Sequence, residues 1–203
     1  AFQQAIDVSP TGKVGAWTLT LLRREPKRPA APPVAASAHA KPDRPLWAVQ
    51  ILMGEPRWPK HWACGAVGNA QEEAFADLRV GAAGDKEAGK ATAFTIWQLR
   101  HDRHVGFKAF AKARGKDELD FETQVLWCPQ ELKTSEKLAW KWLQQAETVE
   151  QATAAIAFYE RPAGYISPKA KTAKAWDEVL AVARKVSHWD KRLAYANALF
   201  KRI

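Results

Sequence analysis

Residues 68–78, Gly68-Asn69-Ala70-Gln71-Glu72-Glu73-Ala74-Phe75-Ala76-Asp77-Leu78, set two glutamates side by side at the end of a run rich in alanine and glycine. Upstream, Trp62, Ala63, Ala66, Val67, Ala70 and Ala74 recur at the three- and four-residue spacing of an amphipathic helix. At about 100° per residue these positions fill one arc of roughly 140°, and the spacing predicts a helix over 59–76. Glu73 falls inside that arc, near Trp62 and Ala66. Glu72 falls outside it, with His61, Gly65 and Gly68, as an ordinary solvated or hydrogen-bonded glutamate. A carboxylate on an apolar face is costly unless it is paired, hydrogen-bonded or protonated. Desolvation keeps a carboxyl protonated toward neutral pH, which suits a general acid. The competing reading of Glu73 is a glutamate at the stripe's edge, salt-bridged to one of the 31 Lys and Arg residues.

The segments around this helix fit one mainly helical domain over 45–203. Pro45 to Leu52 opens a short helix that Gly54 and Pro56 end. Further helical segments cover 105–114, 118–133 and 134–145. Thr148-Val149-Glu150-Gln151 has capping-box spacing and starts another, which stops before Pro162. Residues 170–203 carry apolar positions that fit one long or broken amphipathic helix. Only 78–98 admits a short hairpin, where Val80 and Phe94-Thr95-Ile96-Trp97 flank a Gly-rich loop.

Composition narrows the class. With 203 residues, 47% hydrophobic and 26% charged, the chain is long enough for one domain with a proper core plus a small appendage. The net charge of +9 draws polyanions, whether nucleic acid, anionic lipid or an anionic cell wall. Ten tryptophans are many for this length, and most are expected in the core. Cys64 and Cys128 lack metal-ligand spacing; the expectation is reduced, buried thiols, with a single bridge open in an oxidising compartment. No metal and no cofactor is expected. Neither a signal peptide nor a membrane-spanning stretch is visible. Residues 24–45 hold six of the twelve prolines, and 25–44 read as a semi-rigid linker. It follows a short piece, 1–24, in which Gly12-Lys13-Val14-Gly15-Ala16-Trp17-Thr18 with Leu19 and Leu22 resembles the closing motif of small helical peptidoglycan-binding modules.

A second resemblance bears on the glutamates. Gly68-Asn69-Ala70-Gln71-Glu72-Glu73 is similar to the Gly-Asn-x-x-x-Glu signature of the phage tail lysozyme family, a branch of lysozyme-like muramidases. Four further pieces follow in the same order. Gly84-Asp85 with Ala91-Thr92-Ala93-Phe94-Thr95-Ile96-Trp97-Gln98 resembles the family's Gly-Asp and Gly-Thr-(Ser/Ala)-(Tyr/Phe)-Gly-Ile-x-Gln segment. His101-Asp102-Arg103 resembles its His-x-x-Arg stretch, and 119–132 a helix it shares. Thr148-Val149-Glu150 with Phe158-Tyr159-Glu160-Arg161-Pro162 resembles its Thr-x-Glu and Glu-Arg-Pro ending. The likeness covers about 47–163. Four positions depart from the pattern: Ala74-Phe75 replaces Ser-Gly after the glutamate, Thr95 replaces Gly before Ile96, and Leu99 replaces the Trp after Gln98.

The resemblance implies a lysozyme-like fold and a glycosidase that cuts peptidoglycan, with Glu73 as its catalytic acid. Glycosidic cleavage also needs a group that stabilises the sugar cation or activates water. Asp85 is the candidate, against a plain turn residue. Gln98 and, below it, Thr92 are candidates to bind the sugar. The Tyr159 hydroxyl is weighed as a partner of the acid or substrate against a core tyrosine. Glu160 and Arg161 read as a local ion pair at a helix end. The expected protein is a monomer, phage-encoded and acting at the bacterial periplasm or wall, with peptidoglycan as partner and no nucleic acid. Its basic C-terminal helix is weighed as an anionic-membrane contact against packing on its own domain. The alternatives are a catalytically weak wall-binding relative and a basic helical nucleic-acid-binding protein.

Overall fold

The computed structural model describes residues 43–87, 90–165 and 167–203. The wall-binding-like piece at 1–24 and the linker up to 42 lie outside the described residues. The elements are α1 (Arg44–Gly54), α2 (Lys60–Glu73), β1 (Ala83–Glu87), β2 (Lys90–Phe94), α3 (His101–Ala113), α4 (Phe121–Thr134), α5 (Lys137–Leu143), α6 (Val149–Glu160), α7 (Ser167–Thr172), α8 (Trp176–Ala183) and α9 (Trp189–Arg202). The fold is mainly α, with one antiparallel hairpin.

Local signals explain most boundaries. Asp43 caps α1 by accepting from the Leu46 amide at 3.1 Å. Pro45 sits in the first turn, where its missing N–H has no helical partner to lose. The helix thus takes in Arg44, which the sequence assigns to the linker. Thr148 caps α6 from its hydroxyl to the Gln151 amide at 3.1 Å. Gln151 reaches back, but to the Glu147 amide at 2.8 Å rather than to Thr148 itself. The single amphipathic stretch over 170–203 is broken into three, α7 to α9, and α9 packs against α2 and α6. The hairpin pairs Ala83 with Phe94, Gly84 with Ala93 and Lys86 with Ala91.

α2 is the centre of the fold. Residues Ala63 to Gln71 are buried without interruption, so the helix has no solvent face over this stretch. The predicted arc assigns Gly65 and Gly68 to the outside; instead they are the contact points with neighbouring helices. A Cβ on Gly65 would stand 2.7 Å from the Thr153 amide nitrogen of α6. A Cβ on Gly68 would stand 2.7 Å from the Ala196 nitrogen and the Arg192 carbonyl of α9. Two helix backbones approach α2 at the places where it lacks side chains.

The tryptophans behave largely as expected. Trp58, Trp97, Trp127, Trp142 and Trp189 are buried, while Trp47 is 41% exposed. Cys64 and Cys128 are both buried and free. Burial pushes the Cys64 thiol up to about 11, with Lys60 pulling slightly the other way, so it stays protonated.

Candidate active site

The C-terminal end of α2 opens on a cavity of about 630 Å³, a size usual for small-ligand pockets. Its wall is contributed by four places in the chain: the end of α2, the β2–α3 corner, the α6 terminus and the start of α9. Both glutamates of the opening stretch face it.

Glu73 is held from the far end of the chain. Arg192 Nη2 donates to Glu73 Oε1 at 2.5 Å. The same guanidinium donates through Nη1 to Asn69 Oδ1 at 3.3 Å and through Nε to the Ser187 carbonyl at 3.1 Å. Asn69 is itself fixed, its Nδ2 donating to the Gly65 carbonyl at 2.9 Å and the Thr153 carbonyl at 3.1 Å. Arg192 is 3% and Glu73 21% exposed at the side chain, so the pair is at the cavity wall with the carboxylate on the open side. The ion-paired glutamate weighed from the sequence is what the structure shows, and the pair sits in a crevice. Glu72 is paired too, with His188 Nδ1.

Arg192 was not among the sequence candidates. Its signal was present: Trp189, Arg192, Ala196 and Leu199 form the buried stripe of α9, and Arg192 is the one charge on it. Glu160 is the other residue the sequence misassigned. Arg161 does not pair with it. At φ 54° Arg161 turns the chain out of α6, and its guanidinium pairs with Glu136. Glu160 instead lines the cavity, with Oε1 sealed from solvent and without a hydrogen bond. Burial, reinforced by the charge of Glu73, pushes its carboxyl well above the ordinary range.

Gln98 lines the cavity from the β2–α3 corner. Its Nε2 donates to the Thr95 carbonyl at 3.0 Å, and its Oε1 lies where a Cβ on residue 84 would be, 2.0 Å from that position. Gly84 is therefore required for Gln98 to sit as it does. Thr92 lies on β2 and is not among the lining residues. The backbone of Asp85 belongs to β1 rather than to a flexible loop; its side chain lies outside the described residues. Tyr159 is fully buried, away from the cavity lining. Its ring meets Trp97 edge-on at 5.9 Å and carries Arg103 over its face at 4.4 Å. The hydroxyl lies beside the Cys128 thiol and makes no hydrogen bond of ordinary geometry, so the residue is the core tyrosine weighed from the sequence.

Backbone strain gathers here. Gln98, His101, Arg161 and His188 all line the cavity and all have positive φ, between 45° and 57°. Non-glycine residues in that region persist where surrounding structure over-determines them, as at ligand sites. No group of three or more metal-ligating side chains occurs among the described residues.

A family model described as phage tail lysozyme matches residues 46–202. Comparison with curated proteins and with solved structures gives no match. The match runs beyond residue 163 and takes in α7 to α9, so the helix that carries Arg192 lies within the family's extent.

Proposed function

From the premise that this chain belongs to the phage tail lysozyme family, we propose that it is a peptidoglycan-degrading glycosidase that uses Glu73 as general acid. One observation carries the reading: Glu73, the last residue of the Gly-Asn-x-x-x-Glu signature, ends its helix at the wall of a cavity with its carboxyl toward the open space. Glu73 gives its proton to the bridging oxygen as the bond to the anomeric carbon breaks. Arg192 then stands beside the carboxylate that is left, already in place. Gln98 offers an amide across the cavity for a sugar hydroxyl or for the incoming nucleophile. Asp85 and Thr92, on the hairpin, are proposed to complete the sugar site. A site for the Tyr159 hydroxyl at the substrate is not part of the reading, because the residue is sealed in the core.

The family supports action at a bacterial wall and a phage as the source. A net charge of +9 favours retention on an anionic wall. Among the described residues no helix is long and apolar enough to cross a membrane. The C-terminal helix is proposed to serve the active site rather than a membrane, since Trp189, Arg192, Ala196 and Leu199 are turned inward.

Glu73→Gln tests the proposal. Turbidity clearing of isolated walls is expected to fall by about 100-fold or more, the range for loss of a general acid, while sedimentation with the walls persists. Mass spectrometry of the released fragments distinguishes a hydrolysed end from an anhydro end. A native chain that sediments with walls but releases nothing would overturn the enzyme reading in favour of a wall-binding relative.

A further inference from the structure

Glu160 has no task in the chemistry above, and its surroundings are unusual for a glutamate. Facing it from α2 is Glu73, from α3 Arg103, from α4 Glu131 and from α9 Arg192. Both cations are already committed. Arg103 donates two parallel bonds to Glu131, each 2.9 Å, and Arg192 donates to Glu73. The neighbouring Arg161 is turned to Glu136. Cys128 and Tyr159 close the inner side, and burial keeps both of them protonated. On the outer rim stand Arg100, His101 and the Glu72–His188 pair. Two positive and two negative charges therefore cancel around Glu160, which is the third carboxyl of the group and supernumerary. Oε1 is sealed and lacks any donor, so on ionisation that oxygen would have nothing to satisfy it.

We propose that Glu160 is the proton store of the active site, a carboxylic acid kept neutral beside the ion-paired Glu73 and drawn on to recharge Glu73 during turnover. The proposal rests on the reading of Glu73 as the group that delivers the proton. In the resting site the two carboxyls hold one proton between them, on Glu160. That proton passes to Glu73, leaving Glu160 as the carboxylate, and Glu73 passes it to the bridging oxygen. The nucleophile that takes the anomeric carbon releases a proton, which returns to the pair, so the count closes after each cycle. Two titratable groups pushed apart by their environments are the usual sign of such a division of labour. Burial, and then the nearby Glu73 charge, hold the Glu160 proton well above the ordinary carboxylate range.

The experiment is the pH dependence of kcat/KM for wall clearing by the full chain, in native protein, Glu160→Gln, Glu160→Asp and Glu73→Gln. Glu160→Gln is expected to move the alkaline limb to lower pH by about 1–3 units, the size of shift such environments produce. At neutral pH this reads as a loss of roughly 10-fold or more, recovered on acidification. Glu160→Asp restores part of the limb. A Glu160→Gln profile superposed on the native one, or a folded Glu160→Gln chain inactive at every pH, overturns the proposal. Glu73→Gln reports separately: undiminished turnover there would overturn the reading of Glu73 and with it the proton store, whereas a superposed Glu160→Gln profile with inactive Glu73→Gln overturns the store alone. Should Glu160→Gln not fold, carboxyl carbon-13 NMR of glutamate-labelled native protein decides. One glutamate must titrate well above the others and be absent from the spectrum of labelled Glu160→Asp, and a set in which all titrate in the ordinary range overturns the idea.

Discussion

Phe75 follows α2 with φ 66°, and Thr95 precedes Ile96 with φ 70°. Both stand where the family pattern has glycine. A side chain in the left-handed region costs about 1–2 kcal/mol because Cβ crowds the carbonyl. Read alone, phenylalanine and threonine gave no hint of that backbone; the family's glycines did, since only glycine adopts it freely. Thr95 recovers part of the cost by accepting the Trp97 amide on its hydroxyl at 3.2 Å. Phe75 is 56% exposed and touches Arg79, whose guanidinium lies 4.4 Å from the ring centre. That contact is lost in both small variants, so their difference isolates the backbone. Phe75→Gly is expected to be more stable than Phe75→Ala by about 1 kcal/mol, seen as a higher midpoint in thermal or urea unfolding. Equal midpoints would show that the turn after Glu73 is not held at positive φ.

Among the elements, those with a start signal in sequence were the legible ones. Thr148 announced α6, and Pro45 and Gly54 bounded α1 closely. α4 was legible from its apolar spacing, although Pro129 lies inside it; burial of ten of its residues outweighs the missing bond. The break between α8 and α9 was less visible, because the apolar spacing runs on through it. Asp120 gives a test at this scale. Its Oδ1 accepts from the Thr123 amide at 2.8 Å and the Thr123 hydroxyl at 2.7 Å, capping α4. Burial alone would raise its carboxyl, but these bonds and Lys116 hold it below the usual value. A lowered carboxyl contributes stability that is present above the unfolded value and lost as pH falls through the folded one. Asp120→Ala is therefore expected to cost about 1 kcal/mol at neutral pH. The gap to native protein should close in acid unfolding experiments, and a gap that stays constant with pH would assign the loss to packing instead.

At the scale of the whole molecule, the candidate active site is assembled from the two ends of the described chain. Glu73 lies on α2 and Arg192 on α9, 119 positions apart. Helical periodicity reports which residues share a face, and carries no information on which faces meet. The wheel of α2 therefore found Glu73 and missed its partner, and it counted Gly65 and Gly68 as outward because glycine adds nothing to an apolar stripe. Their meaning is steric: they set how near α6 and α9 come. Gly68→Ala makes this measurable. The added Cβ would stand 2.7 Å from the Ala196 Cβ, the Ala196 nitrogen and the Arg192 carbonyl, two of them backbone atoms that cannot rotate away. α9 must move outward, at a cost of about 1–3 kcal/mol. Because Arg192 travels with α9, the guanidinium withdraws from Glu73 and wall clearing falls along with the unfolding midpoint. Gly54→Ala is the control: nothing lies within 4 Å of its Cβ position, so stability and clearing should both hold. If Gly68→Ala lost stability while clearing walls at the native rate, the α2–α9 contact would be a matter of folding alone, and the Arg192–Glu73 pair would have no part in turnover.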